Sequence, residues 1–287
     1  MTTQRHEFRY LDRQRVRWAE VDMQKIVFNG HYLMYFDTAV AGYWRALALP
    51  YAATMAYLGG DLFVRKATVE YEGPAGYDDL LDVGVRCARI GTSSMTFACA
   101  VFRGDELLVQ GELVYVFADP ATQTSRPVPQ ELREVLQAYE AGKPMVQVRV
   151  GGWDELGRDA QAIRREVFVD EQRIPAEMEW DGADPDCTHA VAHNRFGLAL
   201  GTGRLLEHVP GVAKIGRMAV SRPMREAGVG RALLEALMDQ ARAQGFREAV
   251  LHAQASAVPF YARAGFVARG PAFEEAGITH QEMVRNL

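Results

Sequence analysis

Cysteine is scarce: Cys87, Cys99 and Cys187 are scattered through 287 residues with no C-x-x-C pair. So sparse and odd a set argues against a disulfide framework, a zinc ribbon or a redox dithiol, and reduced, mostly buried thiols are expected. An excess of basic charge is missing as well. Lys and Arg number 32 against 37 Asp and Glu, a net charge of -5, without a basic run able to neutralise a phosphate backbone or an anionic membrane. Neither nucleic acid nor a membrane surface is an expected partner. No stretch approaches the ~18 apolar residues that a membrane-spanning helix requires. The amino terminus, MTTQRHEFRYLDRQRVRW, alternates charged with apolar residues where a signal peptide would carry an unbroken apolar core, so a cytoplasmic protein is expected. Internal repeats and low-complexity tracts are also absent. The roughly two domains implied by this length should therefore be unrelated units joined by fusion.

What is present is the balance of a folded protein, with 48% hydrophobic, 10% aromatic and 24% charged residues. Residues 7 to 18 read as a strand. After a polar turn around Asp22, the segment from Asn29 to Ala48 places Tyr32, Leu33, Phe36, Val40, Tyr43, Trp44 and Leu47 at spacings of three, four and seven. This predicts a helix ended by Pro50, with one face apolar enough to be wrapped by a sheet. Four stretches rich in Val, Phe, Leu and Thr, about 61–72, 79–90, 93–103 and 107–118, are broken by GPAGYDD, IGTSS and RGDE. They predict antiparallel strands, and hence an α+β domain in which the sheet curls around the helix. A second helix is expected between Pro129 and Gly142, and the GKP after it marks the seam between residues 1–142 and 143–287. From about Met145 the pattern becomes mixed α/β: strands near 145, 188–193, 197–207, 213–220 and 249–253, with helices over 153–170, 228–244 and 259–264.

In the carboxyl half, the strand IGRMAVS is followed by RPMREAGVGRALLEALMDQA. Gly228 and Gly230 fall where the strand gives way to an amphipathic helix, so successive backbone N–H groups can converge on an anion at the positive end of the helix dipole. Arg225 stands three residues ahead, and FYARAGF (Phe260 to Phe266) follows downstream. Together these resemble the GNAT acetyltransferase superfamily from about Met145 to the end. REVFVDEQRIP, EWDGADPDCTH, the AQA after LH and GITHQEM look like its ElaA-type branch.

The resemblance implies acetyl-CoA as substrate, an unidentified amine as acceptor and no metal. It makes Met218 and Val220 main-chain partners of the pantetheine arm. Arg225, Glu226, Ala227, Gly228, Val229, Gly230 and Arg231 become the pyrophosphate loop. Gln254 stands where many relatives place Asn. Tyr261 occupies the family's general-acid position, where a phenol of pKa ~10 can protonate a thiolate of comparable basicity; a core tyrosine under the helix is the alternative. Glu171, Glu177, His252 and His280 are candidate bases. The pair His189 and His193 in HAVAH lacks a spaced third metal ligand and reads as two ordinary imidazoles on a strand.

In the amino half, RWAEVDMQKIVFNGHYLMYFD puts Asp22 in a loop seven residues before Asn29, read as the cap of the apolar helix. A helix start offers N–H groups that polarise a carbonyl oxygen, while a carboxylate activates water or attacks directly. The arrangement resembles the hotdog-fold acyl-CoA thioesterases of the hydroxybenzoyl-CoA thioesterase type over about residues 7 to 140, including VEYEGPAGYDDLLDV. It carries the catalytic aspartate onto Asp22 and matches Tyr32 to a recurrent aromatic; a turn or capping aspartate is the alternative reading. Lys25 stands where relatives usually carry Gly, and Asn29, Gly30 and His31 replace the His-x-Asn of many members.

The expected whole is a bifunctional enzyme that hydrolyses an acyl-CoA and transfers acetyl from acetyl-CoA to an amine. It is expected to be a homodimer or higher oligomer through the hotdog half, whose site would be built from both chains. The alternative is an acetyltransferase whose hotdog domain serves only in dimerisation or acyl-CoA binding.

Overall fold

The computed structural model describes residues 3–287 and divides the chain between Met145 and Val146 into two units. Each is described separately.

The first unit runs β1 (Tyr10–Arg15), α1 (His31–Ala46), α2 (Tyr51–Leu58), β2 (Asp61–Tyr71), β3 (Leu80–Ile90), β4 (Ser94–Arg103), β5 (Glu106–Ala118) and α3 (Gln130–Glu140). Its sheet is antiparallel in the order β1-β3-β4-β5-β2. α1 buries Tyr32, Tyr35, Phe36, Ala39, Val40, Tyr43 and Trp44. Gly42 lets it approach β1, because a Cβ there would fall 1.8 Å from the Tyr10 hydroxyl.

Three expectations need correction. α1 opens at His31, with Gly30 at the cap position and no side-chain capping bond, so Asn29 is not its cap. Leu33 lies outside the buried stripe, 39% exposed. Pro50 does not end α1, which stops at Ala46; it sits at the cap of α2, an unexpected helix. A proline with fixed φ and no N–H suits a helix start as well as a stop, and only tertiary context decides between them.

The second unit runs β6 (Val146–Gly151), α4 (Trp153–Arg164) continued by a π-helical segment (Arg165–Glu171), α5 (Ala176–Glu179), β7 (Thr188–Asn194), β8 (Ala199–Val209), β9 (Val212–Val220) and α6 (Val229–Ala243). It continues with β10 (Glu248–Gln254), α7 (Val258–Arg263), β11 (Val267–Ala268), β12 (Phe273–Glu275) and β13 (Ile278–Asn286). The sheet order is β11-β13-β10-β9-β8-β7-β6, with β12 on β13, and β9 with β10 is its parallel pair. On one face Ile163, Val167 and Phe168 pack on Ala219. On the other, the glycines of β8 leave room for α6: a Cβ on Gly203 would meet Leu237 at 2.7 Å. The fold is α+β throughout, an antiparallel sheet with a long helix followed by a mixed sheet with helices.

Candidate functional sites

Parallel pairing of β9 with β10 covers only Val212–Lys214 against Glu248–Val250. β9 runs on to Val220 and β10 to Gln254, so beyond that point the strands diverge. Met218 and Val220 lie on β9 beyond its last pair with β10, and the Val220 carbonyl accepts from the Arg225 guanidinium at 3.2 Å. Arg217, at φ +52°, breaks the alternation of β9. Met218 consequently approaches Gly203 on the α6 face, while Ala219 faces α4.

β9 leads through a short turn into α6. Glu226 (φ +68°) and Gly228 (φ +81°) are both left-handed, and α6 has no side-chain cap. The amides of its first turn are thus left without a side-chain acceptor at the positive end of the dipole. Gly228 is demanded by its φ. Gly230 is demanded by nothing within the chain, since a Cβ there would make ordinary contacts of 3.6 Å with Phe260 and Val220; a closely approaching ligand would explain it. Ala227 and Val229 complete the turn with Arg225 and Arg231, whose guanidinium groups already have partners. Arg225 donates to both carboxylate oxygens of Glu171, each at 2.7 Å, and Arg231 pairs with Glu235 on the exposed flank of α6.

Tyr261, on α7, is buried between Phe260 and Phe266. Among the described residues no hydrogen bond engages its hydroxyl, and burial pushes its pKa up to about 12. Gln254 exchanges amide hydrogen bonds with Gln172, at the end of the π-helical segment. Of the candidate bases, Glu171 is clamped by Arg225, and hydrogen bonding from that guanidinium holds its carboxyl low. Glu177 is exposed on α5. His252 and His280 share one face of the sheet around Phe273. His189 bonds to the Asp184 carbonyl at 2.9 Å and His193 to Asp159 at 2.8 Å. Among the described residues no group of three or more His, Cys, Asp or Glu is placed to hold a metal.

One constellation was invisible in the sequence. Arg164, buried in α4, bonds to Glu179 at 2.5 Å and Asp184 at 2.7 Å; Arg204 bonds to Asp184 and Asp181, and Arg217 reaches Glu179 and Asp181. The network straps the EWDGADPD segment to β8 and β9. Arg204 hydrogen bonding holds Asp181 well below the usual carboxylate range. Burial alone would raise Asp184, but bonds from Arg164 and Arg204 outweigh it and keep its pKa low.

In the first unit, Glu20–Phe28 forms a small hairpin, with Val21 bridged to Val27 and the Asp22 amide bonded to the Ile26 carbonyl. Asp22 stands at its tip, half-buried, accepting from the Gln24 amide at 2.7 Å. Lys25 adopts φ +64°, the left-handed conformation a glycine would supply, at a cost of about 1 kcal/mol. Glu20, two residues ahead of Asp22, plays a structural part. It is buried, accepts from Arg17 and from the Tyr35 hydroxyl at 2.8 Å, and anchors the hairpin to α1. Beyond the hairpin, among the described residues, the amides of Asn29 and Gly30 donate to no protein acceptor. Tyr32 is buried, its hydroxyl accepting from the Ala75 amide at 3.4 Å. Asp22 and the unclaimed amides are thus held at the two ends of one short, anchored segment.

Residues 157–287 match the acetyltransferase (GNAT) domain family, and residues 24–110 match the thioesterase superfamily. The uncharacterized N-acetyltransferase YjcF of Bacillus subtilis is 37% identical over 134 residues, 46% of this chain and 94% of that protein. The acyl-CoA thioester hydrolase YbgC of Escherichia coli is 27% identical over 119 residues, 41% of this chain and 88% of that protein. The crystal structure of an acyl-CoA N-acyltransferase from Pseudomonas aeruginosa is 32% identical, covering 49% of this chain and 99% of that one, with a TM-score of 0.45. The chain belongs to the GNAT acetyltransferase family through its carboxyl-terminal half and to the thioesterase superfamily through its amino-terminal half. It is a fusion of a hotdog domain with a GNAT domain. No helix of the described residues is long and apolar enough to cross a membrane.

Proposed function

We propose that the chain is a bifunctional CoA-thioester enzyme, whose GNAT domain transfers acetyl from acetyl-CoA to an amine and whose hotdog domain hydrolyses an acyl-CoA. The observation that carries the first activity is the divergence of β9 from β10 beside the uncapped, glycine-opened start of α6. A pantetheine arm would add to the free edge at Met218 and Val220 as a strand does, and the pyrophosphate would take the amides of Gly228 to Arg231. Tyr261 is assigned the return of a proton to the departing thiolate. Its unpartnered hydroxyl, raised toward 12, remains protonated at neutral pH and so has a proton to give.

Hydrolysis is assigned to Asp22. Its carboxylate would attack the thioester or activate water, while the Asn29 and Gly30 amides receive the negative charge developing on the carbonyl oxygen. β2 gives this unit a long unpaired edge with Phe63 and Val64 exposed, and we assign to it the pairing of two hotdog domains.

Release of CoA from a panel of acyl-CoAs, with and without amines, tests both activities on the whole chain. Asp22→Ala should abolish hydrolysis and leave acetyl-CoA binding intact. Gly230→Val should abolish acetyl-CoA binding with unchanged circular dichroism. Hydrolysis that survives Asp22→Ala would leave the hotdog domain a binding or dimerisation module, and wild-type affinity in Gly230→Val would remove the pyrophosphate assignment.

A further inference from the structure

β10 and β13 carry one set of side chains toward α6 and another away from it. Arg285 lies on the α6 side, its guanidinium 3.8 Å from the Met238 sulfur, and Met283 shares that side by the two-residue period of a strand. His280 and Glu282 alternate with them onto the opposite face. They are joined there by Gln254 and His252, which stand directly across from them in register. The Gln254–Gln172 bonds identify this face as the one under the π-helical end of α4.

On it the His252 imidazole sits 3.7 Å from a Glu275 oxygen and 3.8 Å from a Glu282 oxygen. Its edge meets the Phe273 ring, which stacks on His280 at an interplanar angle of 23°. His252 lies two residues beyond Val250, the last β10 residue paired with β9, and Gly216 two beyond Lys214, its partner in that pair; a Cβ on Gly216 would meet no atom within 4 Å. The strands thus part on the face that carries an imidazole, two carboxylates and a flat aromatic wall, with open space at Gly216.

We propose that this face is the acceptor site, that it takes a primary ammonium on a flat apolar body, and that His252 is the base that deprotonates it. The proposal rests on the acetyl-transfer reading above. Glu275 and Glu282 supply the negative charge. Arg269 already takes one oxygen of Glu282, whereas Glu275 has no ion pair except that with His252 among the described residues. The charged groups facing His252 are Lys214 from β9, Glu275 from β12 and Glu282 from β13, with His208 of β8 beside Glu282. Burial and Lys214 lower the imidazole pKa against the pull of the carboxylates, so the ring is neutral near pH 7 and free to accept a proton.

In the reaction the ammonium gives one proton to His252. The freed lone pair forms the C–N bond to the thioester carbonyl carbon, and the C–S bond breaks as the carbonyl reforms. The second proton lost by nitrogen balances the one taken up by the thiolate, and His252 passes the first to water. The products are the acetylated amine, CoA thiol and one proton.

The test uses the full-length protein with acetyl-CoA and two probes: phenethylamine, an ammonium ion at neutral pH, and 4-methoxyaniline, which is uncharged there. His252→Ala should lower kcat/KM for phenethylamine by about 10²–10⁴-fold and abolish the acidic limb of its pH profile, with a loss below about tenfold for 4-methoxyaniline. Glu275→Gln, at an exposed position, should raise KM for phenethylamine about two- to fivefold and leave that for 4-methoxyaniline unchanged. Equal losses for both amines with an unaltered pH profile would overturn the proposal. A wild-type protein that binds acetyl-CoA by calorimetry yet acetylates neither amine would overturn the acceptor assignment alone. One that fails to bind acetyl-CoA would overturn the reading beneath it.

Discussion

Glu171 holds Arg225 through two parallel hydrogen bonds of 2.7 Å, carboxylate against guanidinium, while the same guanidinium donates to the Val220 carbonyl at 3.2 Å. The pair joins the π-helical end of α4 to the turn that opens α6. A pyrophosphate arriving at that turn brings negative charge to a guanidinium that already has a carboxylate.

Replacing Glu171 by Gln keeps the shape and deletes the competing charge. Acetyl-CoA should then bind about three- to tenfold more tightly at low ionic strength, with the gain shrinking in high salt. Calorimetric titration at two salt concentrations reads this directly. Weaker binding in the variant would show that Glu171 serves to position Arg225.

Tyr261→Phe keeps the ring packed between Phe260 and Phe266 and removes only the hydroxyl. Turnover of acetyl transfer should fall about 10²-fold or more, with KM for acetyl-CoA little changed. Because burial raises the hydroxyl to about 12, the wild-type rate should show no alkaline limb from this group below about pH 11. Equal turnover in the variant would make Tyr261 a packing residue.

Arg164→Ala leaves Glu179 and Asp184 buried with their principal cation gone, and should destabilise the second unit by about 3–5 kcal/mol in denaturant unfolding at pH 7. The pH dependence has a defined sign. In the wild type Asp181 and Asp184 titrate below their unfolded values, so their contribution is present above about pH 4 and fades as pH falls through the lowered folded values. In the variant only Arg204 still opposes burial at Asp184, so Asp184 titrates higher than in the wild type and the stability difference is greatest where it is ionised in both proteins. The deficit relative to wild type should therefore narrow on going from pH 7 toward pH 4.

If β2 pairs two hotdog domains, light scattering at micromolar concentration should give a mass of at least twice 32.0 kDa. Phe63→Lys with Val64→Lys should shift the species toward monomer and reduce thioester hydrolysis with it, since edge charges oppose strand pairing. A 32.0 kDa wild-type species would contradict the assembly and the shared cleft.

Much of this protein could be read from local pattern. The strands of the first unit lie within one or two residues of their expected bounds beyond β1, because alternation and turn residues act over a few positions. The buried stripe of α1 followed from helical spacing except at Leu33, and the strand, turn and helix that carry Gly228 and Gly230 were legible for the same reason. Other features depend on what the chain meets in three dimensions. Pro50 starts α2 because of what surrounds it, and the two- and three-residue strands β11 and β12 form by pairing with β13, too briefly for any period to announce them. Arg164, Arg204, Glu179 and Asp184 look like surface charge in sequence. They are buried because partners distant along the chain satisfy each other, as they do for Glu20 with Tyr35. Composition and spacing determined which elements form and where the glycines fall. Only the tertiary structure decided that β9 and β10 part after three residue pairs, since register between strands is settled by side chains packed from both faces.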